Sequence, residues 1–189
     1  LKDKRIRQAI AAAIDVKQLV ATTSNGFGVA NNSIVSVASN YYGAAEKAGF
    51  SYDPQKAAAL LQQAGYHGQP LTIVANRRSM VPSFDLAIIT QAMLQAVGMN
   101  VQVEVLEWGT QLERYQTGRY QAMSFTYSAR FDPALSFEQV TGNKDKEPRK
   151  GWEDPVAIDL LAQSLKEGDV SKRQALFDQL HERFIDQVP

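Results

Sequence analysis

Several residue types are absent or rare in this sequence of 189 residues, and each absence excludes a kind of chemistry. There is no cysteine, so thiol catalysis, thiolate metal sites and disulfides are all excluded. The two histidines, His67 and His181, lie in separate segments without an H-E-x-x-H pairing, so we expect no histidine-based metal site. Lys+Arg and Asp+Glu both number 20, and this balance argues against a general nucleic-acid or anionic-membrane binder.

Long apolar runs are also missing. No segment is long enough to span a bilayer, and no signal peptide is recognisable. The sequence begins with Leu1 rather than methionine and ends at Pro189 without a polar tail, so we expect it to be a piece of a longer protein. The composition is globular, with 44% hydrophobic and 21% charged residues, and we treat residues 1–189 as one domain with a real core.

The middle of the chain alternates between strand and helix patterns. Residues 71–75 and the alternating valines of 101–106 predict strands, and apolar residues at helical spacing over 84–97 predict a helix between them. A capping-box pattern at 110–113 predicts a second helix, and residues 121–125 predict a third, buried strand. This order predicts an α/β fold with a parallel β-α-β-α-β core sheet flanked by helices.

Helix-start signals outside this core predict the flanking helices. Asp followed by Pro is a favoured N-cap and first helical residue, and it occurs at 53–54, 132–133 and 154–155. An amphipathic pattern predicts a helix over 3–14, and a capping-box pattern at 171–174 predicts the start of the last helix. The polar segment 141–153 predicts an exposed loop.

The stretch 118–137 contains the strongest candidate for a binding site. Ligands of open α/β sheets bind beyond the carboxyl ends of the strands, and the third predicted strand leads here into a polar, aromatic loop. The candidate ligand-binding side chains of this loop are Tyr127, Ser128, Arg130, Phe131 and Asp132. An arginine framed by aromatic residues is poorly explained by solubility alone, so Arg130 is a candidate for binding an anion.

Two other predicted strands end at the same edge of the sheet. Arg77 and Arg78 follow the first strand, where they either bind an anion or are ordinary solvated arginines. Trp108 follows the second strand and is either a pocket wall or a packed cover. Together these residues describe a concave site with aromatic walls, one or two cations and no catalytic group, which favours binding over catalysis.

Motifs for other chemistry are weak. The broken G-x-G-x-x-G at 26–31 follows a predicted helix and lacks its third glycine, which indicates a flexible loop that could line a ligand cleft. Ser124 and Ser128 do not lie in G-x-S-x-G, and alternation places Glu104 and Glu107 on opposite faces of a strand. We therefore expect neither enzymatic activity nor a cofactor.

Four segments together resemble one known family. Residues 1–20, LKDKRIRQAIAAAIDVKQLV, resemble a helix pair of the extracytoplasmic solute-binding proteins of ABC importers, in the dipeptide/oligopeptide/nickel-binding family. Residues 52–66, YDPQKAAALLQQAGY, resemble its "Y-D-P-x-K-A-x-x-L-L-x-x-A-G-y" motif, and residues 91–103 and 172–189 add two shorter matches. The resemblance extends over essentially the whole chain.

This resemblance implies a two-lobe periplasmic-binding-protein-like fold, of which the chain is the second lobe, inserted in sequence within the other. It implies a solute-binding component of an ABC importer, which captures a peptide-like or other small anionic solute between its lobes and delivers it to a permease. The implied partners are the membrane permease and ATPase subunits, with no nucleic acid. The implied protein is a monomer in the periplasm, or a lipoprotein on the outer face of the cytoplasmic membrane.

The family pattern also concerns the ligand. Peptide binders of the family carry an aspartate, which holds the ligand's amino group, four residues before the proline at position 133; the residue here is Ala129. Tyr127 and Phe131 fit the aromatic spacing of the nickel-chelate branch, although the following loop has no histidine to bind a metal, and Arg130 indicates an anionic ligand group. Peptide, opine-like conjugate, modified sugar and metal chelate remain open, as do a stand-alone α/β enzyme and a protein-interaction module.

Overall fold

The computed structural model describes residues 1–79, 81–128 and 130–189, and it divides into two compact units. Unit 1 comprises Leu1–Ala30, Phe50–Tyr115 and Arg119–Tyr127. Unit 2 comprises Asn31–Gly49, Gln116–Gly118 and Ser128–Pro189. The expectation that residues 1–189 form a single lobe concerns the assembly of both units, and it stays a prediction.

Helices dominate the described residues, and the strands are few and short. The helices are α1 Lys4–Ala13, α2 Val16–Thr23, α3 Ala44–Lys47, α4 Pro54–Gln63, α5 Ser83–Ala96, α6 Trp108–Gln116, α7 Pro133–Glu138, α8 Pro155–Ser164 and α9 Val170–Gln187. The strands are β1 Leu71–Ala75, β2 Val101–Val105 and β3 Ala122–Met123.

Unit 1 is built on a parallel sheet with strand order β2-β1-β3. Leu71 lies opposite Val101 at the start of the β1–β2 ladder, and Ile73 lies opposite Ala122 in the β1–β3 ladder. The central strand β1 has four buried residues of five, because helices pack over it with a core that includes Leu61 and Leu94. The predicted α/β fold with a parallel β-α-β-α-β sheet is confirmed.

Three helices of unit 1 begin at an aspartate N-cap, of which the one at Asp53 was predicted, and one predicted helix start is wrong. The side chains of Asp3, Asp15 and Asp53 each accept a hydrogen bond from a backbone N–H of the helix that follows. The predicted capping box at Thr110 is wrong. Gln111 N–H donates to the Glu107 carbonyl at 2.9 Å, so helical bonding begins before Thr110 and α6 starts at Trp108.

The third strand is shorter than predicted. Only Ala122 and Met123 belong to the ladder, and both are half-buried, whereas the sequence predicted a buried strand over 121–125. Ser124 N–H still donates to the Val74 carbonyl at 2.8 Å. Beyond that bond, the side chains of Ser124 and Phe125 contact α5 and α6, and these contacts replace a longer ladder.

Unit 2 is formed by α3, α7, α8, α9 and the segments between them. Its core is apolar and aromatic, with Phe137, Phe177 and Leu180 fully buried. Asp154 caps α8 as predicted, and its carboxylate also accepts hydrogen bonds from Arg183 on α9, which keep the pKa of Asp154 well below its ordinary value. The predicted capping box at Ser171 is wrong, because α9 starts at Val170 with a different N-cap.

The segment 141–153 is not the fully exposed loop that its polarity predicts. Thr141, Lys150 and Trp152 are all buried within unit 2. The Lys150 ammonium donates to the carbonyl and the carboxylate of Glu138, and the Trp152 indole N–H donates to Gln187 at 2.7 Å. These long-range partners lie outside the segment itself, so local composition did not indicate the burial. None of the described helices is both long and apolar enough to cross a membrane.

Candidate functional site

The carboxyl ends of all three strands of unit 1 carry aromatic, cationic or amide side chains. Asn76, Arg77 and Arg78 follow β1, Trp108 begins α6 shortly after β2, and Ser124, Phe125 and Tyr127 follow β3. The strands are parallel, so these segments leave the same edge of the sheet, where ligands bind in open α/β folds. This edge is the candidate site of unit 1.

An aromatic cluster forms the wall of this site. The ring centroid of Phe125 lies 5.4 Å from that of Trp108, 4.7 Å from that of Tyr115 and 5.3 Å from that of Tyr127. The structure thus joins two of the predicted site residues, Trp108 and Tyr127, through Phe125, which was not singled out from the sequence. Tyr127 remains 45% exposed, so the wall presents aromatic surface to solvent.

Two guanidinium groups stand beside aromatic rings at the end of β1. The guanidinium carbon of Arg78 lies 4.0 Å from the Trp108 ring centroid, and that of Arg77 lies 4.0 Å from the Phe84 ring centroid. Arg78 Nε also donates to the Asn76 side-chain oxygen at 3.0 Å. Neither arginine forms an ion pair with any residue that the structure describes, so both positive charges are available to an anion.

A depression of about 400 Å³ lies between α2 and α5 in unit 1. Phe84, which carries the Arg77 guanidinium on its ring, forms part of its wall. The remaining lining residues are Thr22, Thr23, Asn25, Asp85, Ile88 and Ile89. Asn25 belongs to the segment that leads into the broken glycine motif at 26–31, and its left-handed φ of 50° marks a sharp turn there.

A buried amide network supports the site from below. Asn76 Nδ2 donates to Gln111 Oε1, and Gln111 Nε2 donates to the Ser124 carbonyl at 3.0 Å. The Ser83 hydroxyl donates to the same carbonyl at 2.7 Å. Sequence reasoning missed these residues, and for Gln111 one reason is that the predicted start of α6 at Thr110 left Trp108 outside the helix. With the helix starting at 108, Trp108, Gln111 and Tyr115 fall on one face at i, i+3 and i+7.

In unit 2, the predicted site residue Asp132 is committed to internal contacts. Its carboxylate accepts the Ala134 N–H at 3.0 Å and so caps α7, as predicted. Arg173 Nη2 donates to both carboxylate oxygens, at 2.9 and 2.8 Å. Burial is the largest single effect and lowers the pKa of Arg173, but the hydrogen bonds and charges of Asp132 and Tyr41 together outweigh it and raise that pKa. The ligand-binding role of Asp132 stays a prediction.

The other predicted site residues of unit 2 are exposed. Ser128 and Arg130 face solvent, and Phe131 is 98% exposed. Arg130 has no hydrogen bond or ion pair to any residue within the described ranges, so its charge is available to a ligand. Ala129, the position of the missing amine anchor, lies outside the described residues. The binding roles of Ser128, Arg130 and Phe131 stay predictions.

The two histidines differ in their surroundings. His181 is buried, with Nε2 2.9 Å from the Ala48 carbonyl and Nδ1 3.2 Å from the Ser33 hydroxyl, and these contacts give it a structural role. His67 is exposed. Across residues 1–79, 81–128 and 130–189 there is no group of three or more His, Asp or Glu side chains that could hold a metal ion.

The parallel sheet and the candidate site at its strand ends define an α/β domain of the ligand-binding type. The chain is 29% identical to the nickel-binding periplasmic protein of Escherichia coli K12, over 97% of its own length and 38% of that protein. It is 26% identical to the dipeptide-binding protein of the same organism, over 100% of its own length and 37% of that protein.

The family is identified by a match over most of the chain. Residues 1–147 match the family described as "Bacterial extracellular solute-binding proteins, family 5 Middle", and the chain belongs to this family. A solved relative is the dipeptide-binding protein from Pseudoalteromonas sp. SM9913 in complex with Met-Leu, with a TM-score of 0.88 and 26% identity over 99% of this chain and 38% of that one. The chain spans less than two-fifths of the length of these relatives. The resemblance inferred from the sequence motifs is confirmed.

Proposed function

We propose that the chain is the ligand-binding part of a solute-binding component of an ABC importer. This component captures a peptide-like or other small anionic solute in a cleft between two lobes and delivers it to a membrane permease. One observation carries the proposal. Arg77 and Arg78, without carboxylate partners among the described residues, stand at the same sheet edge as the aromatic wall of Trp108, Phe125 and Tyr127, of which Tyr127 is exposed. Such a combination suits a ligand with an anionic group and an apolar body.

The proposed setting follows from the family. Membership among bacterial extracellular solute-binding proteins supports a place in the periplasm, or on the outer face of the cytoplasmic membrane, with permease and ATPase subunits as partners. The full-length protein acts as a monomer and closes its lobes on the ligand by a hinge motion. Since the chain spans less than two-fifths of its relatives, we expect it to bind ligand more weakly alone than with the other lobe present.

Ser128, Arg130 and Phe131 form a second candidate ligand-binding segment, in unit 2. Arg130 is exposed and has no partner among the residues that the structure describes, so it can receive an anionic group. Ser128 and Phe131 offer a hydroxyl and an apolar ring in the same loop. Peptide binders of the family carry an aspartate carboxylate at position 129, which is alanine here. The loop therefore offers the Arg130 cation and no carboxylate at that position for a ligand's amino group. This difference favours a solute in which recognition of an anion outweighs recognition of an amine.

The proposal is tested by calorimetric titration of the full-length protein with Met-Leu and with its C-terminal amide. Charge-assisted hydrogen bonds contribute roughly 1.5–3 kcal/mol, so Arg130→Ala should weaken binding of the acid by about tenfold or more. Arg119→Ala is the matched control, because this surface guanidinium is already paired with Glu113. Equal affinity of wild type and Arg130→Ala for the acid would refute the anion role of Arg130.

A metal chelate is the second candidate ligand, and the exposed rings of Tyr127 and Phe131 favour it. Their spacing fits the chelate-binding pattern, and the nickel-binding relative is 29% identical to this chain. Titrations with free Ni²⁺ and with a preformed nickel–citrate complex separate the two ligand classes. Binding of the complex with no binding of Met-Leu would establish the chelate in place of the peptide-like solute.

A further inference from the structure

Two buried amides join the cation at the end of β1 to the aromatic segment after β3. Asn76 is 1% exposed and Gln111 is fully buried. The Asn76 oxygen accepts from Arg78 Nε at 3.0 Å, its Nδ2 donates to Gln111 Oε1, and Gln111 Nε2 donates to the Ser124 carbonyl at 3.0 Å. The chain of bonds runs without interruption from a guanidinium to the backbone that leads directly into Phe125.

Helix α6 fixes Arg78 in two independent ways. Trp108, its first residue, lies against the face of the guanidinium, and Gln111, one turn later, holds the amide that accepts from Arg78 Nε. The face and one edge of the guanidinium plane are thereby engaged. The two terminal nitrogens of Arg78 donate to no residue within the described parts of the chain. They can therefore donate together to a planar anion such as a carboxylate.

We propose that Asn76 and Gln111 are positioning residues, which set the orientation of Arg78 relative to Phe125 and Tyr127. Ring stacking alone would leave the guanidinium free to rotate in the plane above Trp108, and the bond to Asn76 removes that freedom. The buried pair thus makes the site selective for solutes whose carboxylate stands at one fixed distance from an apolar group. This inference rests on the proposed function, because it deepens the anion recognition assigned to the same sheet edge.

The positioning role is tested first without ligand, in the 189-residue chain. Gln111→Met removes both polar contacts of Gln111 at nearly constant size, so Asn76 loses the partner that fixes its amide. The Arg78 Nε–H should then exchange with solvent at least about fivefold faster in ¹H–¹⁵N spectra, because its acceptor is no longer held in place. Gln91→Met is the matched control, since it removes one side-chain bond to the Val101 carbonyl elsewhere in unit 1.

The second readout is the affinity for Met-Leu and for its C-terminal amide. Each ligand is titrated to millimolar concentration, and binding is monitored in the same ¹H–¹⁵N spectra. Wild type should prefer the acid by about tenfold, and Gln111→Met should reduce this preference to about threefold or less while Gln91→Met leaves it intact. A general loss of structure would weaken both ligands equally and would leave their ratio unchanged. That outcome would contradict the role in selectivity.

The two readouts separate failure of this inference from failure of the proposed function. Unchanged exchange of the Arg78 Nε–H in Gln111→Met would overturn the positioning role, whatever the ligand does. Faster exchange together with equal wild-type affinity for acid and amide would retain the positioning of Arg78 but overturn anion recognition at this edge. Faster exchange with a reduced acid preference would support both.

Discussion

The carboxylate of Asp132 performs two structural tasks in unit 2, and its removal should cost stability in two separable parts. As the N-cap of α7 it accepts the Ala134 N–H, and loss of such a cap costs about 1 kcal/mol. The carboxylate also neutralises Arg173, whose side chain is only 17% exposed while that of Asp132 is 37% exposed. This intermediate burial places the ion pair between surface and buried pairs, at about 1–2 kcal/mol. Asp132→Ala should therefore destabilise unit 2 by about 2–3 kcal/mol.

Two further variants divide this loss into its parts. Asp132→Asn keeps an acceptor for the cap but removes the charge, so it should cost only the ion-pair share of about 1–2 kcal/mol. Asp169 caps α9 through the Lys172 N–H and forms no ion pair among the residues that the structure describes. Asp169→Ala should therefore cost about 1 kcal/mol and serves as the matched control for the cap alone.

Unfolding in guanidinium chloride, monitored by tryptophan fluorescence, measures these free-energy differences for unit 2. The sequence contains two tryptophans, Trp108 in unit 1 and Trp152 in unit 2. In a Trp108→Phe background the signal comes from Trp152 alone, which is buried in the core of unit 2. If Asp132→Ala and Asp169→Ala lowered the free energy of unfolding equally, the reasoning on the Arg173 pair would be refuted.

Two further changes test the packing of unit 2. Hydrogen bonds from Arg183 lower the pKa of Asp154 in the folded state, so its stabilisation is complete above the ordinary value of 3.8 and is lost as the pH falls below it. Acid unfolding monitored by circular dichroism should show stability that declines below about pH 4 in wild type and less steeply in Asp154→Asn; parallel curves would contradict this. Gly118 has φ of 67°, and an added Cβ would collide with the Pro148 carbonyl, so Gly118→Ala should lower the unfolding free energy by about 2 kcal/mol or more. In Gly109→Ala the added Cβ meets open space, so this substitution should be neutral or stabilising by up to about 1 kcal/mol. Equal effects at both glycines would contradict the steric argument.

The sequence predicted those parts of the fold whose signals are local. The strand at 71–75 and the helix starts after Asp3, Asp53 and Asp154 agree with the structure, because apolar patterning and N-caps act within one turn of the chain. The two capping boxes failed for a related reason. Residues one or two positions earlier already begin each helix, so Thr110 and Ser171 lie within the first turn and are not N-caps.

Residues whose role depends on distant partners were missed. The sequence predicts Lys150 to lie in an exposed polar loop, yet it is buried against Glu138, twelve residues earlier. Asn76 and Gln111 are ordinary polar residues in sequence, and their importance comes from a bond across 35 positions. Phe125 was assigned to a strand, whereas the structure makes it the centre of the aromatic cluster. Such contacts come from tertiary packing, which periodicity and spacing do not encode.

The central claim is that this chain helps to bind a small solute through an anionic group, at aromatic and cationic strand ends. Mass spectrometry of the small molecules that copurify with the full-length protein tests it most directly, with Arg78→Ala compared under the same conditions. The account predicts a solute that carries a carboxylate or another anionic group, at an occupancy sharply reduced in the variant. A solute that is neutral or cationic, or one retained equally by Arg78→Ala, would contradict it.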